Sequence, residues 1–128
     1  MAFESIGLVI PMKSGAAIAR GCFVKLDSTN ARQVVIAAAE GDLTIGVATE
    51  VASAADKWIG VQINGVASVQ FGGTVGVNGP VEADSAGKAV AAAGAAAATL
   101  GYALEGGQSG SEGAVLLTTP VFLAPANS

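Results

Sequence analysis

Apolar residues along this chain fall in short runs of four to six, many alternating with polar or small residues, and turn-forming clusters separate the runs. Phe23-Val24-Lys25-Leu26 predicts a strand that ends at Asp27-Ser28-Thr29-Asn30, residues that favour turns by bonding their own backbone. Gln33-Val34-Val35-Ile36 predicts a second. From Thr44 to Val51 the pattern has period two, with Ile45, Val47 and Thr49 on one face and Gly46, Ala48 and Glu50 on the other. Trp58–Ile63 and Val66–Phe71 flank Asn64-Gly65, a strong two-residue hairpin signal. Val75–Val77, Val81–Ala83, Ala89–Ala92, Thr99–Leu104 and Ala114–Thr118 continue the series. Many short strands at regular spacing predict an all-β barrel or sandwich. Ala91–Ala98 has high helix propensity, but Gly94 interrupts it, and its place before Thr99 favours a strand end plus a loop.

An internal near-repeat organises these runs. Thr44-Ile45-Gly46-Val47-Ala48-Thr49-Glu50 returns as Thr99-Leu100-Gly101-Tyr102-Ala103-Leu104-Glu105, about 55 residues later. Upstream, Gly21–Ser28 resembles Gly79–Ser85, and downstream Ile59–Ile63 resembles Gly113–Leu117. The repeat covers about 15–65 and 73–118, within one β domain at 15–128 that follows an N-terminal arm at 1–14. Two copies are too few for a solenoid and predict two similar halves packed face to face around one core.

Composition narrows the chemistry. The chain has 128 residues, and its 52% hydrophobic fraction is dominated by 27 alanines, so large core side chains are scarce. With no histidine it lacks the commonest general acid/base and metal ligand. Cys22 alone permits no internal disulfide and reads as a small buried hydrophobe. A net charge of -4 disfavours phosphate backbones, so no nucleic-acid partner is expected. The opening residues lack a basic region and break at Pro11, and the uncharged run from Ala89 to Leu104 is too short to span a bilayer; a soluble chain made in a cytosol, with no membrane partner, is expected.

Motif by motif, structural roles outweigh reactive ones. Gly87-Lys88 is followed by Ala89, and Glu82 stands where a phosphate loop needs glycine. Glu50 and Glu105 occupy equivalent repeat positions and are the candidates for a catalytic carboxylate pair, but the alternation puts both towards solvent. Asp27 and Asp84 lack calcium-loop spacing and read as turn residues. No catalytic residue, cofactor site or metal site is expected. Apolar residues instead crowd the ends: Phe3, Ile6, Leu8, Val9, Ile10 and Met12, and then Val121, Phe122 and Leu123. Either they complete the core or they reach another protein, and Trp58 poses the same choice.

Together, the Gly-x-Phe-Val strand, Ala39-Glu40-Gly41-Asp42, Ile45-Gly46-Val47-Ala48, Val61–Val66, Gly87-Lys88-Ala89-Val90, Leu100–Glu105 and Gly113–Leu117 resemble the small head decoration, or capsid cement, proteins of tailed bacteriophages. Members of that family are often mislabelled as RecA/RadA-like recombinases. The resemblance spans roughly residues 15–119. It implies a β-tulip-like domain on the outside of the virion capsid, synthesised in the bacterial host cytoplasm. The implied partner is the major capsid protein, bound by a homo-oligomer, a trimer before a dimer. Contacts are expected from Phe3–Met12 first and Val121–Leu123 second. An alternative is a virion-associated module that binds carbohydrate or a host surface, which needs an exposed aromatic platform.

Overall fold

The computed structural model describes residues 5–27, 29–37, 44–92 and 100–117, and these form an all-β structure. Its strands are β1 (Ser5–Ile6), β2 (Val9–Ser14), β3 (Phe23–Leu26), β4 (Gln33–Ile36), β5 (Gly46–Ala48), β6 (Trp58–Gln62), β7 (Gly65–Gln70), β8 (Pro80–Ala83), β9 (Ala89–Ala91), β10 (Gly101–Ala103) and β11 (Glu112–Leu117). The order β2-β4-β3-β5-β6 closes into a barrel, and β1-β7-β11-β10-β8-β9 makes a six-stranded sheet. Val75 makes an isolated bridge to Gly107 in place of the expected strand over 75–77. The strand β9 ends at Ala91, and the rest of the alanine tract lies outside the described residues except for Ala92.

The repeat is built into the hydrogen bonding. Across the barrel, Phe23 pairs with Val47, Val47 with Gln62, and Gln62 with Val9. In the second sheet Pro80 pairs with Tyr102, Tyr102 with Leu116, and Leu116 with Val66. The barrel closes where Ser14 meets Val34 in parallel, and the second half repeats that closure as a single parallel bridge, Phe71 to Ala89. Ile18 bridges Ala52 as Val75 bridges Gly107. Turn conformations match as well: positive φ occurs at Gly21 and Asn78, at Arg32 and Gly87, and at Asp56 and Gly110. The counterpart of Gly21 is therefore Asn78, one residue before the Gly79 that identity suggests, because backbone conformation and not residue type sets the equivalence.

Asn64-Gly65 does not make a hairpin. The strand β6 belongs to the barrel and β7 to the six-stranded sheet, so this dipeptide carries the chain from one to the other. Alongside runs the N-terminal segment, whose pairings Ser5↔Val66, Ile6↔Gly65, Val9↔Gln62 and Lys13↔Trp58 keep one register through the crossing. Each strand finds its partner in residues 5–13, and that long-range pairing overrides the local turn preference. Where the ladder is interrupted, the Leu8 amide donates to Asn64 Oδ1 at 2.6 Å and Ile63 N donates to Leu8 O at 2.9 Å. The segment expected as an arm is extended, but from Ser5 to Ser14 it is built into both sheets.

Two apolar clusters replace the single expected core. The barrel encloses Met12, Ile18, Val24, Val34, Ala48, Ala52, Ile59 and Val61. The second cluster gathers Ala67, Val69, Phe71, Val81, Ala103, Val115 and Leu117, and it also takes in Phe23 and Val47. Adjacent strand residues point to opposite faces. Val24 and Ala48 therefore fill the barrel while Phe23 and Val47 face outward from it, into the second cluster. For the same reason β5, expected to be buried on one face, is buried on both.

A candidate interaction surface

Of the candidate chemical groups, Cys22, Glu105, Asp27 and Asp84 are engaged in structure. Cys22 is buried, and burial raises its thiol pKa, which keeps it protonated. Glu105 Oε1 accepts the Ala114 amide at 3.1 Å, and Glu50 is exposed. Asp27 Oδ1 accepts Thr29 N at 2.9 Å, and the equivalent Asp84 Oδ1 accepts Ala86 N at 2.8 Å and Lys88 N at 2.9 Å. The amide of Thr29, with the side chains of Asn30 and Gln33, lowers the Asp27 pKa. Among the described residues no three His, Cys, Asp or Glu side chains cluster to hold a metal ion. A depression between the halves, lined by Phe23, Ile45, Ile63, Leu100 and Leu117, offers about 10 Å³, room for about one water molecule.

The outer face of β2 and β6 is different. Alternation along β2 turns Ile10, Met12 and Ser14 inward and leaves Val9, Pro11 and Lys13 outward. Trp58, at the start of β6 and directly across from Lys13, is 57% exposed, and Leu8 is 54% exposed. Gly60 keeps this face low: a Cβ there would lie 2.9 Å from Val9 Cγ1 and 2.7 Å from Thr49 Oγ1, so Val9 lies across the glycine. Arg32 holds the tryptophan. Its guanidinium carbon stands 5.8 Å from the indole centroid while Nη2 donates to Pro11 O at 3.0 Å, a cation–π contact of about 0.5–1 kcal/mol at an exposed site. Lys13 Nζ lies 3.6 Å from Asp56, an exposed pair that adds little stability. Val9, Pro11 and Trp58 thus form an apolar patch bordered by the Arg32 guanidinium and the Lys13–Asp56 pair.

The expected contact residues divide. Val9 and Trp58 share this surface and Leu8 is exposed just ahead of β2, whereas Ile10 is half-buried against the barrel cluster and Met12 is part of it. Met12 lies in the core because its place on β2 points into the barrel, on the side away from Val9 and Pro11. Ile6 lies in β1 opposite Gly65. Phe3, Val121, Phe122 and Leu123 fall outside the described residues. Sequence reasoning missed Arg32 and Pro11. Arg32 reaches Trp58 through a turn with φ of 57°, an uncommon conformation for arginine that no sequence signal marks.

A solved structure of similar fold is the crystal structure of the N base of head fiber gp8.5 in bacteriophage phi29. It superposes with a TM-score of 0.73 over 91% of this chain and 98% of that chain, at 15% sequence identity. At this identity the likeness establishes the fold. No protein-family model matches the chain, and no curated protein matches it in sequence.

Proposed function

We propose that this chain is a structural protein of a tailed-phage virion that binds the outer surface of an assembled head and stabilises the shell. The observation that carries the proposal is the shared fold, spanning nearly the full length of both chains, with the base of a phage head fiber. The exposed patch on β2 and β6 supports it, because shell binding asks for contact area and shape, not reactive groups. Trp58 supplies an apolar anchor, and the Arg32 guanidinium over it suits a coat surface that presents carboxylates. The mechanism is mass action: a protein that binds the assembled shell and not its free subunits shifts the equilibrium towards the shell. Contacts to several subunits at once add avidity.

The test mixes purified protein with expanded, mature-size heads lacking this chain and measures cosedimentation and shell melting. Binding with a raised melting temperature is expected. Trp58→Ala should weaken binding at least about tenfold, the loss of about 1.4 kcal/mol, in a folded protein. No binding, or binding with unchanged melting, rejects the proposal. The glycan-binding alternative draws on the exposed indole of Trp58. Among the described residues Tyr102 is the other exposed ring and lies in the second sheet, and Phe23 and Phe71 are buried, so the described residues offer a platform of one ring. A change in tryptophan fluorescence on adding a glycan would favour that alternative over the shell.

A further inference from the structure

Asn-Gly occurs twice, at 64–65 and 78–79, and the structure holds the two dipeptides in different ways. Asparagine before glycine has a latent chemistry, because glycine carries no side chain to keep its amide nitrogen away from the asparagine carboxamide. At the first site that carboxamide is engaged. Its Oδ1 accepts the Leu8 amide at 2.6 Å and sits against Gly7, where a Cβ would overlap that oxygen, while Asn64 O accepts Gln62 Nε2 at 2.9 Å. Gly65 is held between two strands, paired with Ile6 on one side and Leu117 on the other.

The second site is a surface turn. Gly79 N donates to Gly76 O at 3.1 Å, closing a four-residue turn whose third residue, Asn78, takes the positive φ of 61° that a type II turn requires there. Gly76, Val77 and Asn78 are all exposed. Among the described residues nothing bonds the Asn78 carboxamide, so no bond has to break for it to turn towards the Gly79 nitrogen. What stands in the way is the single hydrogen bond from Gly79 N to Gly76 O.

We propose that Asn78 is a site of spontaneous deamidation, and that Asn64 is protected from the same reaction by its place at the crossing between the sheets. Once the Gly79 N–H leaves Gly76 O, the nitrogen attacks Asn78 Cγ. A C–N bond forms and closes a five-membered succinimide; the Cγ–Nδ2 bond breaks, and Nδ2 leaves as ammonia with the proton from Gly79. Water then opens the ring. Attack at Cγ gives aspartate, and attack at the backbone carbonyl carbon gives isoaspartate, in which the chain continues through the former side chain. Either product makes an acidic chain more acidic by one charge. Isoaspartate also adds a backbone carbon to a turn that is tied to β10 through Asn78 N to Ala103 O and Ala103 N to Gly79 O. The reaction needs water alone, so the inference stands apart from any binding to a shell.

The full chain, incubated at mildly alkaline pH and followed by peptide mass spectrometry with fragmentation that separates isoaspartate from aspartate, tests this. Asn78 should convert to a mixture containing isoaspartate at least about tenfold faster than Asn64, since reaction at Asn64 must first break more hydrogen bonds. In urea strong enough to unfold the chain the two rates should converge. Gly79→Ala, which sets a methyl group beside the attacking nitrogen, should slow conversion at position 78 at least about tenfold. Should that variant fail to fold by circular dichroism, Asn78→Gly, which keeps the positive φ, should abolish the more acidic species that the wild type accumulates on ion exchange. An Asn78 that stays intact in the folded chain while it converts in urea overturns the proposal, as do equal rates at the two sites in the folded chain. Conversion to aspartate without isoaspartate overturns the succinimide route.

Discussion

At Gly87 and Gly110 the chain takes the left-handed turn conformation that Arg32 and Asp56 adopt in the first half, yet the two glycines differ in their surroundings. A Cβ on Gly110 would meet nothing within 4 Å, whereas one on Gly87 would lie 2.6 Å from Ile36 Cγ2 and 2.9 Å from Phe23 O. Gly110→Asn should therefore cost about 1 kcal/mol or less, and Gly87→Asn about 2–3 kcal/mol, in chemical denaturation. Asp27 gives a pH prediction. Its folded pKa lies below the ordinary 3.8, so its contribution is complete above that value and is lost as pH falls through the folded value. The urea midpoint of Asp27→Ala should fall below wild type at pH 7, and the gap should close in more acidic solution. The turn at Asp27 was legible from residue type, because an Asx side chain bonds locally. The clamp of Arg32 on Trp58 was not, since it joins a turn to the start of a strand distant in sequence.

Strands were legible and their partners were not. The bounds of β3 and β4 follow from apolar runs ended by turn residues, and the alternation that defines a strand is a local property. Pairing is decided by which segments reach each other. The Asn64-Gly65 signal misleads for that reason: residues 5–13 compete for both flanking strands and win along an unbroken register. The crossing depends on two side chains, Asn64 accepting the Leu8 amide and Gln62 donating to Asn64 O and Val66 O. Gln62→Leu should cost about 1–3 kcal/mol, because it removes the donor from those part-buried hydrogen bonds, and Asn64→Ala about 1 kcal/mol. Equilibrium unfolding of each variant checks both values.

In the whole molecule the halves are joined by lending the outer face of one to the core of the other. Phe23, a residue of the barrel sheet, packs with Phe71, Val81 and Val115 of the second half. Phe23→Ala should destabilise by about 3–5 kcal/mol. Amide exchange should then quicken in β7 and β11 as well as in β3, which a defect confined to the barrel would not produce. The sequence by itself determined the all-β class, the repeated motif and the turn residues, since periodicity, composition and local bonding need no knowledge of distant partners. Tertiary structure alone decided that the halves make two clusters, that Val9 and Trp58 are exposed while Met12 is buried, and that Tyr102 stands open where Val47 is covered. Burial is a property of what packs against a strand, and strands of the same pattern can be covered in one half and bare in the other.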